Sequence, residues 1–198
     1  MPKKAELTTA YILEKVAPVF NKKGYSATSM ADITAATGLT KGAIYGNFKN
    51  KNELAIKAFS YNTNLVTNAI AIEIAKAENA IDKLFAITNF YSNYYQFTLN
   101  FGGCPILNVG IDANHQDPIL IQKVQKAINN IQAFIESIMV EGVAKNEIRP
   151  NINAQYYARQ IFAQIEGAVF MTMTTKKEVY MTDMVDGLNR LILNHLKP

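Results

Sequence analysis

Apolar residues recur every three to four positions along nearly the whole 198-residue chain, and no stretch keeps the every-second-residue alternation of a half-buried strand. That period admits helices packed on helices and excludes a core built on a sheet. The expected fold is therefore all-α. Packing alone must hold it, because the single cysteine, Cys104, can neither close a disulfide within its own chain nor supply the thiolate set of a structural zinc site. At 49% hydrophobic and 18% charged, the composition suits a folded protein and not a disordered one.

Residues 84–111 carry no formal charge, but Asn89, Asn93, Gln96, Asn100, Gly102, Gly103 and Pro105 interrupt the run in a way no bilayer helix would choose. No membrane partner is expected. The start, Met1-Pro2-Lys3-Lys4 followed by Glu6, lacks the apolar core of a secretion signal, so a cytoplasmic location is the expectation.

Periodicity and punctuation predict the elements. A first helix spans about 8–23, with Pro18 inside it and Gly24 as its stop; a second spans about 28–37, opened by hydroxyl residues and ended by Gly38. Thr40 can cap a third, short helix at 41–47. Asn50 and Glu53 have capping-box spacing and open a long fourth helix. Further on, helices are expected at about 80–101, from Pro105 to about 114, at 118–145, at 154–174 and from 182 onward. In the 154–174 helix, Ile161, Ile165 and Ala168 mark one apolar face and Phe162, Val169 and Met173 the next, so that one could serve the core and the other a partner.

Two short helices joined by a four-residue turn with glycine form a helix-turn-helix, whose second helix can enter the major groove of DNA. Charge agrees with such a partner. Residues 1–51 hold eight lysines against Glu6, Glu14 and Asp32, a net +5, whereas the remainder, with twelve basic and thirteen acidic residues, is at −1. Spacing alone would also suit any helical hairpin, and Ile44 and Phe48 read as core.

The residues GYSATSMADI at 24–33 and GLTKGAIYGNFKNKNEL at 38–54 resemble the DNA-binding domain of the tetracycline-repressor (TetR) family of bacterial regulators, over about residues 8–58. The aromatic pair Tyr45 and Phe48 and the Lys51-x-Glu53-Leu54 start of the next helix stand at that family's spacing. The resemblance implies a three-helix DNA-binding domain at 1–50 and a helical ligand-binding and dimerisation domain at 51–198. It implies a homodimeric, ligand-responsive regulator, usually a repressor, whose last two long helices pair the subunits. Double-stranded DNA would then be met by Ser29, Thr40, Lys41, Gly42, Tyr45, Asn47 and Lys51. Two reading helices about one DNA turn apart, ~34 Å, would read a near-palindrome.

For the effector, the aromatic-rich stretch with Phe90, Tyr91, Tyr94, Tyr95, Phe97 and Phe101, joined by Asn108, Asp112 and His115, is the candidate pocket wall, suited to a largely apolar or aromatic molecule. Plain core packing would use the same aromatics. The fourth helix is the expected lever between effector and DNA. No cofactor and no metal site is expected, since His115 and His195 have no metal-type neighbours and Cys104 has no evident histidine partner. An all-α enzyme is the rival reading, against which stand the missing H-E-x-x-H, G-x-S-x-G and Walker patterns. A nonspecific DNA-binding protein is the second rival.

Overall fold

The computed structural model describes residues 4–114 and 117–198. Among these residues it contains helices and no strand, as the periodicity requires. The helices are α1 (Lys4–Lys23), α2 (Met30–Thr37), α3 (Lys41–Tyr45), α4 (Lys51–Ile74), α5 (Ala80–Ser92), α6 (Tyr94–Thr98), α7 (Pro105–Ala113), α8 (Pro118–Ala144), α9 (Ala154–Thr175) and α10 (Val179–Leu191), which continues as a π-type turn over Ile192–Leu196. Two compact units result. One comprises Met1–Val66 with Thr98–Lys126, the other Thr67–Phe97 with Ala127–Pro198.

Short-range hydrogen bonds explain most boundaries. Ser29 and Asp32 close a reciprocal capping box on α2, Thr40 caps α3 by accepting from Ala43 N, and Asn153 caps α9 by accepting from Tyr156 N. Asp117 accepts from Ile119 N and Leu120 N, each at 2.9 Å, to start α8. At α4 only half of the expected box forms. Asn50 accepts from Glu53 N at 2.8 Å, but the Glu53 carboxylate accepts from Lys49 N at 2.7 Å.

The helix expected over 80–101 is broken. α5 ends at Ser92, Asn93 takes a non-helical backbone, and α6 is followed by a 3₁₀ turn over Leu99–Phe101. Ser92 donates back to Asn89 O at 2.7 Å, a local bond that competes with the helical ladder. Pro18, in contrast, sits within an unbroken α1.

In the first unit Ile12, Val16, Phe20, Ile33, Ile44, Phe48 and Leu54 form one buried cluster. Burial of this kind stabilises by roughly 1.5–3 kcal/mol per large side chain, so α3, five residues long, is held by Ile44 and not by its own propensity. In the second unit Leu84, Ile87, Ile135, Ile161, Ile165 and Leu188 are buried, and Thr88 of α5 donates to Asn189 of α10 at 2.7 Å. Both faces of α9 read from the sequence turn inward: Ile161, Ile165, Phe162 and Val169 are buried, with Ala168 and Met173 half-buried. A third face is left outside.

Candidate nucleic-acid interface and effector cavity

Gly38 makes the turn between α2 and α3 possible. Its φ of +68° lies in the left-handed region, and its N–H returns to Thr34 O at 2.9 Å. Beyond it, Thr40, Lys41, Gly42 and Tyr45 are exposed on one side of α3 while Ile44 and Phe48 are buried on the other. Tyr45 keeps 45% of its surface in solvent. Gly42 is unlike Gly38: its backbone is not left-handed, and an added Cβ would meet nothing nearer than Thr40 Oγ1 at 3.9 Å. The fold itself does not require glycine there.

The remaining sequence-predicted DNA residues also have work inside the fold. Ser29 Oγ is engaged with Asp32, whose carboxylate pairs with Lys23 Nζ at 2.5 Å. The hydrogen bond from Lys23, then those from the Ser29 backbone and hydroxyl, hold that carboxyl well below the usual carboxylate range. Asn47 donates to Ala43 O at 2.9 Å and accepts from Thr9 Oγ1 at 3.0 Å, which fastens the end of α3 to α1. Lys51 places its ammonium 4.6 Å from the centre of the Tyr25 ring, a cation–π contact. Sequence reasoning missed Thr9 and also Tyr11, whose hydroxyl donates to Thr37 O at 2.9 Å. Neither has a local sequence signal.

The effector candidates separate. Tyr91, Tyr94 and Tyr95 belong to the second unit, and Phe101, Asn108 and Asp112 to the first; His115 lies outside the described residues. Tyr91 and Tyr94 are buried with ring centres 4.8 Å apart, and Phe90 meets Phe97 edge-on at 5.3 Å. Tyr95, half-buried, has Lys176 Nζ 5.7 Å from its ring centre. Beside this cluster a cavity of about 350 Å³ is walled by Glu73, Ala86, Asn89, Phe90, Asn93 and Phe97, within the size range of small-molecule sites. Phe90 and Phe97 come from the expected aromatic stretch. Glu73, Asn89 and Asn93 do not; only the four-residue spacing of the two asparagines hinted at a shared polar face.

Phe101, Asn108 and Asp112 interlock α7 with the end of α1. Asn21 donates to the carbonyls of Phe101 and Gly103 at 2.7 and 2.8 Å, and Asn108 donates to those of Asn21 and Gly102 at 3.0 and 2.8 Å. Asp112 accepts from Tyr25 N at 2.5 Å. Gly102, at φ +91°, lies so close to α1 that a Cβ would stand 3.2 Å from Lys22 N.

Among the described residues no helix is long and apolar enough to cross a membrane, and no group of three or more His, Cys, Asp or Glu is placed to hold a metal ion.

Two family models match the chain: bacterial regulatory proteins, tetR family, over residues 12–58, and tetracyclin repressor-like, C-terminal domain, over residues 80–188. Among solved structures, a TetR-family transcriptional regulator from Cytophaga hutchinsonii is 34% identical, with a TM-score of 0.91 and 98% of each chain covered. A TetR transcriptional regulator from Chloroflexus aurantiacus J-10-FL is 31% identical, with a TM-score of 0.92 and the same coverage. The HTH-type transcriptional regulator YxaF of Bacillus subtilis (strain 168) is 26% identical over 169 residues, 83% of this chain and 84% of that protein.

Proposed function

Because the chain belongs to the tetracycline-repressor family of DNA-binding, ligand-responsive bacterial regulators, we propose that it works as a homodimer that grips a near-palindromic operator and releases it when a small, largely apolar or aromatic effector binds. The observation that carries the reading is α3, which buries Ile44 and Phe48 and offers Thr40, Lys41, Gly42 and Tyr45 outward. In this arrangement Lys41 meets phosphate, the Tyr45 ring meets a thymine methyl or its hydroxyl a phosphate, and Gly42 lets the helix backbone come close to the duplex. Ser29, Asn47 and Lys51 serve the same surface, Ser29 and Asn47 mainly by holding α2 and α3 in place and Lys51 as a phosphate clamp.

Dimerisation is supported by the third face of α9. Every exposed residue of that helix beyond Arg159 is uncharged, Phe170 and Met171 are among them, and a Cβ on Gly167 would meet nothing within 4 Å. An uncharged stripe with two large apolar side chains is costly to leave in water and suits a two-fold contact. The Phe90 and Phe97 cavity is the proposed effector site, with Glu73, Asn89 and Asn93 as its hydrogen-bonding groups. α4 contributes Leu54 and Ala55 to the reading core and Glu73 to that cavity, which makes it the proposed lever. On this reading the functional division falls at residue 50, the protein acts in the cytoplasm, and it binds its effector without turning it over.

Selection of DNA from a random pool, followed by a screen of small molecules for release of the selected duplex, tests the whole proposal. A two-fold-symmetric consensus whose affinity falls steeply with salt is expected. Enrichment of no symmetric site would favour nonspecific DNA coating, and consumption of a candidate effector by the purified protein would favour the enzyme.

A further inference from the structure

Two buried asparagines of the first unit share an unexplained feature. Asn21 is 3% exposed and Asn62 is 2% exposed, and the Oδ1 atom of each is buried with no hydrogen-bond partner in the protein. Their amide orientations are fixed by chemistry. The Asn21 Nδ2 faces two carbonyl oxygens, and the Asn62 Nδ2 faces Ala17 O at 2.9 Å, so turning either amide would set oxygen against oxygen. Both oxygens are therefore acceptors. Both residues also wall one cavity of about 10 Å³, whose other sides include Phe20, Phe59, Val109 and Leu120.

We propose that this cavity holds one structural water molecule that donates one O–H to Asn21 Oδ1 and the other to Asn62 Oδ1. A space of that size fits a single water, and two buried acceptors are the minimum such a water needs. Leaving either acceptor unsatisfied would carry the full desolvation cost of a buried polar group, which makes occupancy the favoured state. A metal cation is disfavoured, because the lining holds no carboxylate and, besides the two amides, only Tyr25 is polar among walls otherwise of hydrocarbon, too few oxygens to replace its hydration shell. The bridge joins α1 to α4. Because the Asn21 amide also holds the carbonyls of Phe101 and Gly103, the water links α4 to the turn before α7 through one side chain.

The test is an experimental crystal structure of the full chain at atomic resolution, with water-to-protein nuclear Overhauser measurements on the two Asn Nδ2 groups in solution. A density peak at hydrogen-bond distance from both oxygens, and cross-peaks from a long-lived water to both amides, are expected. In Asn62→Leu the peak and the cross-peak at Asn21 should both be lost. Direct protein donors on the two oxygens, an anomalous signal from a rubidium soak at the peak, or a peak that persists in Asn62→Leu would overturn the assignment. If Asn62→Leu does not fold, the two measurements on the unaltered protein decide alone.

Discussion

Replacing Gly42 with alanine should raise the stability of the free protein and weaken its hold on DNA at once. In the free protein the new methyl enters open space, with Thr40 Oγ1 at 3.9 Å as its nearest neighbour, on a backbone that alanine adopts readily. Alanine for glycine within a helix is worth roughly 0.5–1 kcal/mol, which corresponds to a rise of about 1–4 °C in Tm for a chain of this length. At the proposed interface the same methyl stands where the backbone must approach the duplex. Overfilling a close contact costs about 1–3 kcal/mol, or a loss of about 5- to 150-fold in affinity. Thermal melting and fluorescence-anisotropy titration of the selected operator, at one fixed salt concentration, read the two effects separately. A higher Tm with unchanged affinity would mean that Gly42 does not face DNA. A lower Tm would mean that the account of its backbone is wrong.

Gly102→Ala should behave in the opposite way, since its φ of +91° and the 3.2 Å approach to Lys22 N leave no room; a loss of about 1–3 kcal/mol in thermal or urea unfolding is expected, and an unchanged midpoint would refute the tight α1 contact. The lowered carboxyl of Asp32, and that of Glu53, lowered chiefly by the Lys49 N–H, give a pH signature. A carboxylate with a depressed folded-state pKa contributes stability above its unfolded value, about 4, and loses that contribution as pH falls toward the folded value. Urea unfolding of Asp32→Asn should thus fall short of the unaltered chain at neutral pH and converge with it in acid; a constant gap would refute the Lys23 pairing. Phe170→Glu should turn the dimer into monomer in analytical ultracentrifugation while helical content is kept, and an undiminished dimer would place the subunit contact elsewhere.

What could be read from the sequence was local. Ser29, Thr40, Asp117 and Asn153 cap bonds to neighbours three residues on, so their type and spacing carry the whole signal. The outward face of α3 follows from the same arithmetic once Ile44 and Phe48 are taken as core. The break at Asn93 escaped because its apolar stripe stays in phase through it. Asn108 and Asp112 looked like pocket residues only because their true partners, Asn21 and Tyr25, lie 87 residues away. The faces of α9 were misjudged for a related reason: two neighbouring apolar faces can both be swallowed by one subunit, and the stripe left outside is marked by missing charge rather than by a run of large apolar side chains.

The interlock of α1 with α7 bears on the order of synthesis. Asn21, Tyr25 and Gly24 leave the ribosome more than seventy residues before Phe101, Gly103 and Asp112, the groups that complete their bonds or pack against them. The nascent head can gather Ile12, Ile33 and Ile44 early, yet the amide of Asn21 lacks its two carbonyls until the loop after α6 has been made. A fragment ending after α4 would therefore be born with an open seam along α1, and grafting the head onto a foreign body would require residues 98–126 to travel with it.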